Sequence, residues 1–409
     1  MAPEPGGRPR FEVADIVRLH GQEYRCEHRP TAAQEAVLRH ITDCRTAAMG
    51  GHVDACDGCG STRISYNSCR DRHCPKCQSL ARADWLEARL ERLLPIAYFH
   101  VVFTIPDEIN ALALGNKRVL FGLLFASAAA TLRTIAGDEK HLGAEIGVTA
   151  VLHTWGQNLL FHPHLHCVVT GGGLTRSGDR WVSTHERYFL PVKVLSRLFR
   201  GKFLAGLKSA RAAGELRFGG STDALSDESN WKAFLAPLYQ KNWVVYAKPP
   251  FGGPEQVFKY LGRYTHRVAI SNHRITNVEH GRVTFTLKNY ADAGKRTTMT
   301  VSASEFLRRF ALHVLPRGFT RIRHFGLMAG CNVATKLEAA RRLLVGDAVV
   351  READAKEPAA PQPWWERLRE RTGIDVMACT SCGGRLTRTM KIGPRAAWLS
   401  TARVVADTS

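Results

Sequence analysis

Phe161-His162-Pro163-His164-Leu165-His166-Cys167-Val168-Val169-Thr170, followed by Gly171-Gly172-Gly173, alternates polar and apolar residues through its centre. Residues two apart in an extended strand share a face, so His162, His164 and His166 project together while Leu165, Cys167 and Val169 enter a core. Three histidines on one face are costly to desolvate unless they are paired. They suit a divalent cation that keeps coordination positions open for a substrate phosphate oxygen. His164 and His166 are the expected ligands, and His153, Gln157, His162 and Gln256 are candidates for a third.

Downstream, Pro254-Glu255-Gln256-Val257-Phe258-Lys259-Tyr260-Leu261-Gly262-Arg263-Tyr264-Thr265-His266-Arg267 predicts a helix begun after Gly253, with Pro254 in its first turn. Tyr260 and Tyr264 fall one helical turn apart on a shared face, with Cβ atoms about 5–6 Å apart, so both hydroxyls can reach one phosphate in turn. Lys259, Arg263 and Arg267 surround them, and a cationic field lowers a phenol toward phenolate. A tyrosine pair alone is usually core or interface; the histidine strand is what gives this one chemical meaning.

Upstream of the strand, seven of the eleven cysteines lie between Cys26 and Cys77, a clustering that in a reducing cytosol indicates metal ligation rather than disulfides. Cys56-x-x-Cys59 and Cys74-x-x-Cys77, fourteen residues apart, fit a closed four-sulfur structural zinc site, with Gly58 and Gly60 easing the turn. The interleaved Cys44, His52, Cys69 and His73 are candidates for a second zinc ion. Arg70, Arg72 and Lys76 would then present positive charge to DNA phosphates from a rigid mount. Cys379-x-x-Cys382 before Gly383-Gly384 is half a zinc knuckle, able to borrow ligands elsewhere, to dimerise around a metal, or to stand as a reduced turn.

The chain of 409 residues carries 57 Lys+Arg against 37 Asp+Glu, a formal charge of +20, which points to a polyanionic partner and above all to nucleic acid. MAPEPGGRPR has no apolar stretch and reads as a disordered start rather than a secretory signal, so a cytoplasmic protein is expected. The most apolar run, Val119 to Thr131, falls short of the roughly 18–20 residues that cross a bilayer, so no membrane span is expected.

The resulting organisation is α+β. Residues 1–10 form the start and 11–95 a zinc-binding module that contacts DNA, with helices at Thr31–His40 and Ser79–Leu94. Residues 96–330 form a second, mixed α+β domain with strands at Tyr98–Ile105, Ile146–His153 and His162–Thr170. Its helices fall at Ile109–Ile135, Val192–Ala212 and Asn230–Gln240, and three short strands lie between Val268 and Val301. Ser302 caps a further helix. Residues 331–409 form a tail of helix and linker with the lone Cys pair.

Four stretches together resemble the two-tyrosine HUH transposases of rolling-circle insertion sequences: YNSCRDRHCPKCQ at 66–78, HTWGQNLLFHPHLHCVVTGGG at 153–173, YLGRYTHR at 260–267 and RIRHFGLMAG at 321–330. The resemblance covers most of the chain. It implies a palm-like antiparallel sheet flanked by helices, with His164 and His166 on a central strand and an amino-terminal zinc module. It also implies a reaction in which Tyr260 or Tyr264 attacks a single-stranded DNA phosphate with Mg²⁺ or Mn²⁺, giving a 5′-phosphotyrosine. Plasmid replication initiators and relaxases share this chemistry, but no G-x-x-x-x-G-K-[ST] motif marks a fused helicase. A zinc-dependent DNA-binding protein without catalysis is a further alternative. Histidine-triad nucleotide hydrolases share H-x-H-x-H, but as small domains that need neither zinc nor this charge.

Overall fold

The computed structural model describes residues 9–77, 79–185, 190–248, 262, 269–289, 294–346 and 362–394. Helices α1 (Val13–His28) and α2 (Ala32–Asp43) come first. The Thr31 hydroxyl accepts from Gln34 N while the Gln34 side chain accepts from Thr31 N, a reciprocal cap that stabilises α2 by about 1 kcal/mol. The sequence reading did not include α1: its start is Glu12 with Asp15 rather than a Ser or Thr, and Gly21 interrupts its apolar stripe. Strands β1 (Gly51–Cys56) and β2 (Thr62–Tyr66) pair as a hairpin, and α3 (Ser79–Leu90) ends short of the expected Leu94, in turns leading to Pro95.

The middle of the chain builds the main sheet from β3 (Tyr98–Thr104), β4 (Glu145–Trp155), β5 (Phe161–Leu174), β6 (Trp181–Ser183) and β7 (Val245–Lys248), completed by the later β11 (Ile322–Gly326). Its order is β11-β4-β5-β3-β7 with β6 also on β5, and every pairing is antiparallel. The histidine strand is therefore central. It continues through Gly171-Gly172-Gly173 instead of ending there, because neighbouring strands press on it: a Cβ at Gly172 would lie 2.5 Å from Val182 O, and one at Gly173 would lie 2.5 Å from Glu145 O.

One face of this sheet carries the largest core. Leu165, Cys167 and Val169 of β5 pack there with α4 (Asn110–Gly115), α5 (Lys117–Ala136), α6 (Val192–Ala212) and α7 (Glu228–Gln240). The single long helix expected over Ile109–Ile135 is broken at Asn116, whose buried amide pairs with both backbone groups of Arg217 at 2.7 and 2.8 Å. Contrary to the reading of its apolar run, α5 is long and apolar enough to cross a membrane, with 61% of its apolar window buried in the protein. Its residues Leu120, Phe121, Leu124 and Phe125 are fully buried, which identifies a core helix.

A second sheet, β10-β9-β8, comprises β8 (Ile275–Glu279), β9 (Arg282–Asn289) and β10 (Lys295–Ser302). Ser302 then caps α8 (Ala303–Leu312), accepting from Glu305 N at 3.2 Å. α8 packs on α1, and Phe306 and Phe310 share a core with Val13, Ile16 and Leu38. After α9 (Glu338–Val345) and α10 (Trp364–Thr372) the chain returns as β12 (Leu386–Ile392), which pairs with β1 to make the sheet β12-β1-β2. Within the expected tail, Leu386–Ile392 thus joins the amino-terminal sheet.

Candidate metal centres and nucleic-acid site

Cross-strand register sets the histidine face. His164 lies opposite His153 of β4, and His166 lies opposite Val151 of β4 and Val102 of β3. The ligand nitrogens of His153, His164 and His166 come within 4.8 Å of one another. His164 Nε2 and His166 Nε2 are 3.1 Å apart. Two nitrogens at right angles on a cation, each bonded at about 2.1 Å, would be roughly 3.0 Å apart, so this pair fits an octahedral ion. Of the candidates for the third ligand, His153 is brought in beside them. His162 turns toward Asp107, 3.5 Å away.

Outer contacts fix the ring orientations. His164 Nδ1 donates to His162 O at 2.7 Å, which leaves Nε2 with its lone pair. His166 Nδ1 lies 2.7 Å from Nε2 of His100, a β3 residue that the sequence reading did not single out. Such outer partners orient a ligating imidazole and are worth 10–100-fold in affinity, an order of magnitude from other metal sites. Burial holds His100 and His164 down to about 4, and His153 and His166 well below the ordinary value. All four are neutral at physiological pH, the form that ligation requires.

Tyr260, Tyr264, Lys259, Arg263 and Arg267 lie outside the described residues, as does Gln256. Gly262, between the two tyrosines, is described: a Cβ there would meet Leu86 Cδ1 of α3 at 3.4 Å. Leu86 packs against a cluster that includes Tyr98, Val151 and Val168. Those residues alternate with the core-facing positions and so share the histidine side of the sheet.

The cysteines sort differently from the sequence expectation. Cys74 and Cys77 join Cys44 and Cys69, whereas Cys56 and Cys59 join Cys379 and Cys382. In the first quartet Cys69 Sγ lies 3.7 Å from Cys77 Sγ, and Cys69 N donates to Cys44 Sγ at 3.5 Å. Hydrogen bonding from Cys69 and Cys74 draws the Cys44 thiol down to about 7.

His52 and His73, expected at a second ion, join neither group. His73 has both ring nitrogens occupied, with Nδ1 bonded to Asp71 Oδ1 at 2.8 Å and Nε2 accepting from Leu315 N at 3.1 Å. His52 Nε2 faces Arg388 across the β1–β12 ladder at 3.1 Å. Of the three phosphate contacts expected from the cysteine-rich region, two are engaged internally: Arg72 donates to Phe319 O at 2.5 Å, and Lys76 pairs with Glu12 at 2.6 Å. Arg70 is exposed.

A family model described as "Putative transposase" matches residues 147–336, and one described as "Transposase zinc-binding domain" matches residues 16–105. A protein of Sinorhizobium fredii named "Putative transposase y4qJ" is 52% identical over 393 residues, spanning 95% of this chain and 98% of its own length. The transposase for insertion sequence element IS801, from Pseudomonas savastanoi pv. phaseolicola, is 26% identical over 370 residues, spanning 85% of this chain and 82% of its own. No solved structure matches.

Proposed function

The chain belongs to the insertion-sequence transposases represented by these relatives, with DNA as partner and a zinc-binding domain at its amino-terminal end, and from that premise we propose that it cleaves and rejoins single-stranded DNA through a 5′-phosphotyrosine intermediate. The observation that carries this reading is the trio His153, His164 and His166 on the central strands, with the chain at Gly262 packed on the same side of the sheet.

His153, His164 and His166 would hold Mg²⁺ or Mn²⁺, which when bound supplies positive charge to polarise the scissile phosphate. Tyr260 or Tyr264 provides the nucleophile. Its phenolic oxygen loses a proton and forms a bond to phosphorus while the bond to the 3′ oxygen breaks, and that oxygen leaves as a free hydroxyl after taking up a proton. Lys259, Arg263 and Arg267 favour the phenolate and neutralise phosphate charge. One phosphodiester replaces another, so no nucleotide cofactor is required. The second tyrosine permits a further cleavage while the first covalent link persists, as rolling-circle transfer needs. Cys44, Cys69, Cys74 and Cys77 hold a structural zinc that mounts Arg70 toward DNA.

Incubation with labelled oligonucleotide in Mg²⁺ or Mn²⁺, followed by a denaturing gel, tests the reading. Wild-type protein should give a covalent adduct with single-stranded but not duplex DNA. Tyr260→Phe with Tyr264→Phe should abolish the adduct, and His164→Ala with His166→Ala should abolish cleavage. Unchanged adduct in the double tyrosine variant would remove the nucleophile assignment.

A further inference from the structure

The half-knuckle near the carboxyl end lies outside the matched zinc-binding domain, yet it meets the turn between β1 and β2. Cys56 Sγ lies 3.4 Å from Cys382 Sγ, Cys59 Sγ lies 3.8 Å from Cys379 Sγ, and all four sulfurs fall within 4.8 Å of one another. All four cysteines are free. The corners of a tetrahedron around zinc with bonds of about 2.3 Å are roughly 3.8 Å apart, whereas a disulfide requires about 2.05 Å. The sulfurs are spaced for a shared ion.

Three further features fit. Ser381 N and Gly384 N donate to Cys379 Sγ and Cys382 Sγ, each at 3.4 Å, the kind of backbone bond that stabilises thiolates. A Cβ at Gly384 would stand 2.9 Å from Cys56 Sγ, so only glycine lets that backbone close over the sulfurs. Among the described residues the local hydrophobic cluster consists of Cys56, Cys379 and Leu386. A sheet of three short strands with so small a core needs a staple.

We propose that Cys56, Cys59, Cys379 and Cys382 bind a second structural zinc ion, which fastens the carboxyl-terminal strand β12 to the amino-terminal hairpin. The site is independent of the cleavage chemistry, so either can fail without the other.

Metal analysis of the purified full chain should give two zinc ions per protein. Cys379→Ser with Cys382→Ser should remove one of the two, and so should Cys56→Ser with Cys59→Ser. Tryptic digestion should release the segment containing Cys379 from either variant and spare it in the wild type. Should a variant fail to fold, cadmium NMR of the substituted wild-type protein decides: two tetrathiolate resonances are expected. One zinc per wild-type chain, two zincs retained in the Cys379/Cys382 variant, or a single cadmium resonance would overturn the assignment.

Discussion

His313 lies inside the protein with its Nδ1 accepting from Thr154 Oγ1 at 3.2 Å and its Nε2 donating to Leu159 O at 3.0 Å. Burial pushes this imidazole down to about 3 from an ordinary 6.5. The unfolded chain therefore binds a proton that the folded chain refuses, between those two values. Stability from this residue is complete above pH 6.5 and is lost as pH falls toward 3, by on the order of 3 kcal/mol at pH 4. Urea melts at pH 7 and pH 4.5 should show a smaller acid loss for His313→Gln than for wild type; parallel losses would refute the assignment. Residue chemistry was only partly legible in advance. His164 and His166 follow from period-two alternation within one strand. His153 was one candidate among four, and His100 was absent, because cross-strand register brings both to the site and a linear pattern does not contain it. The cysteines obey the same limit: a C-x-x-C spacing identifies a pair of candidate ligands but not which thiols it meets, and Cys44 and Cys69, 25 residues apart, carry no such spacing.

Among elements, β11 depends on one backbone conformation. Gly326 has φ +59, and a Cβ there would stand 1.9 Å from Ile146 O, where β11 closes on β4. Gly326→Ala should destabilise the protein by about 2 kcal/mol or more, combining left-handed strain with loss of the strand end. The expected signature is a lower denaturant midpoint with an unchanged slope, and an unaltered midpoint would contradict it. Elements with strong local signals were read well: α6 spans Val192–Ala212 as expected, and α2 and α8 start after their Thr31 and Ser302 caps. Failures had specific causes. α1 lacks a familiar start signal, and the break before α5 is made by Asn116 bonding to Arg217, a contact 101 residues away.

At the scale of the whole molecule, the formal charge of +20 predicts that affinity for DNA is salt-dependent. Binding followed by fluorescence anisotropy should weaken at least about tenfold between roughly 50 and 200 mM salt as counterions are released. Salt-independent binding would argue against phosphate contact. Pairing between distant segments was the least legible property: α1 packs on α8, and β12 pairs with β1. That last pairing has a consequence during synthesis. Cys382 leaves the ribosome 326 residues after Cys56, a delay of roughly 15–65 s at common elongation rates. Until then the nascent hairpin has an open edge, and Cys56 and Cys59 lack the two thiols they face in the folded chain; a message truncated upstream of Cys379 would yield a protein whose first sheet lacks its third strand.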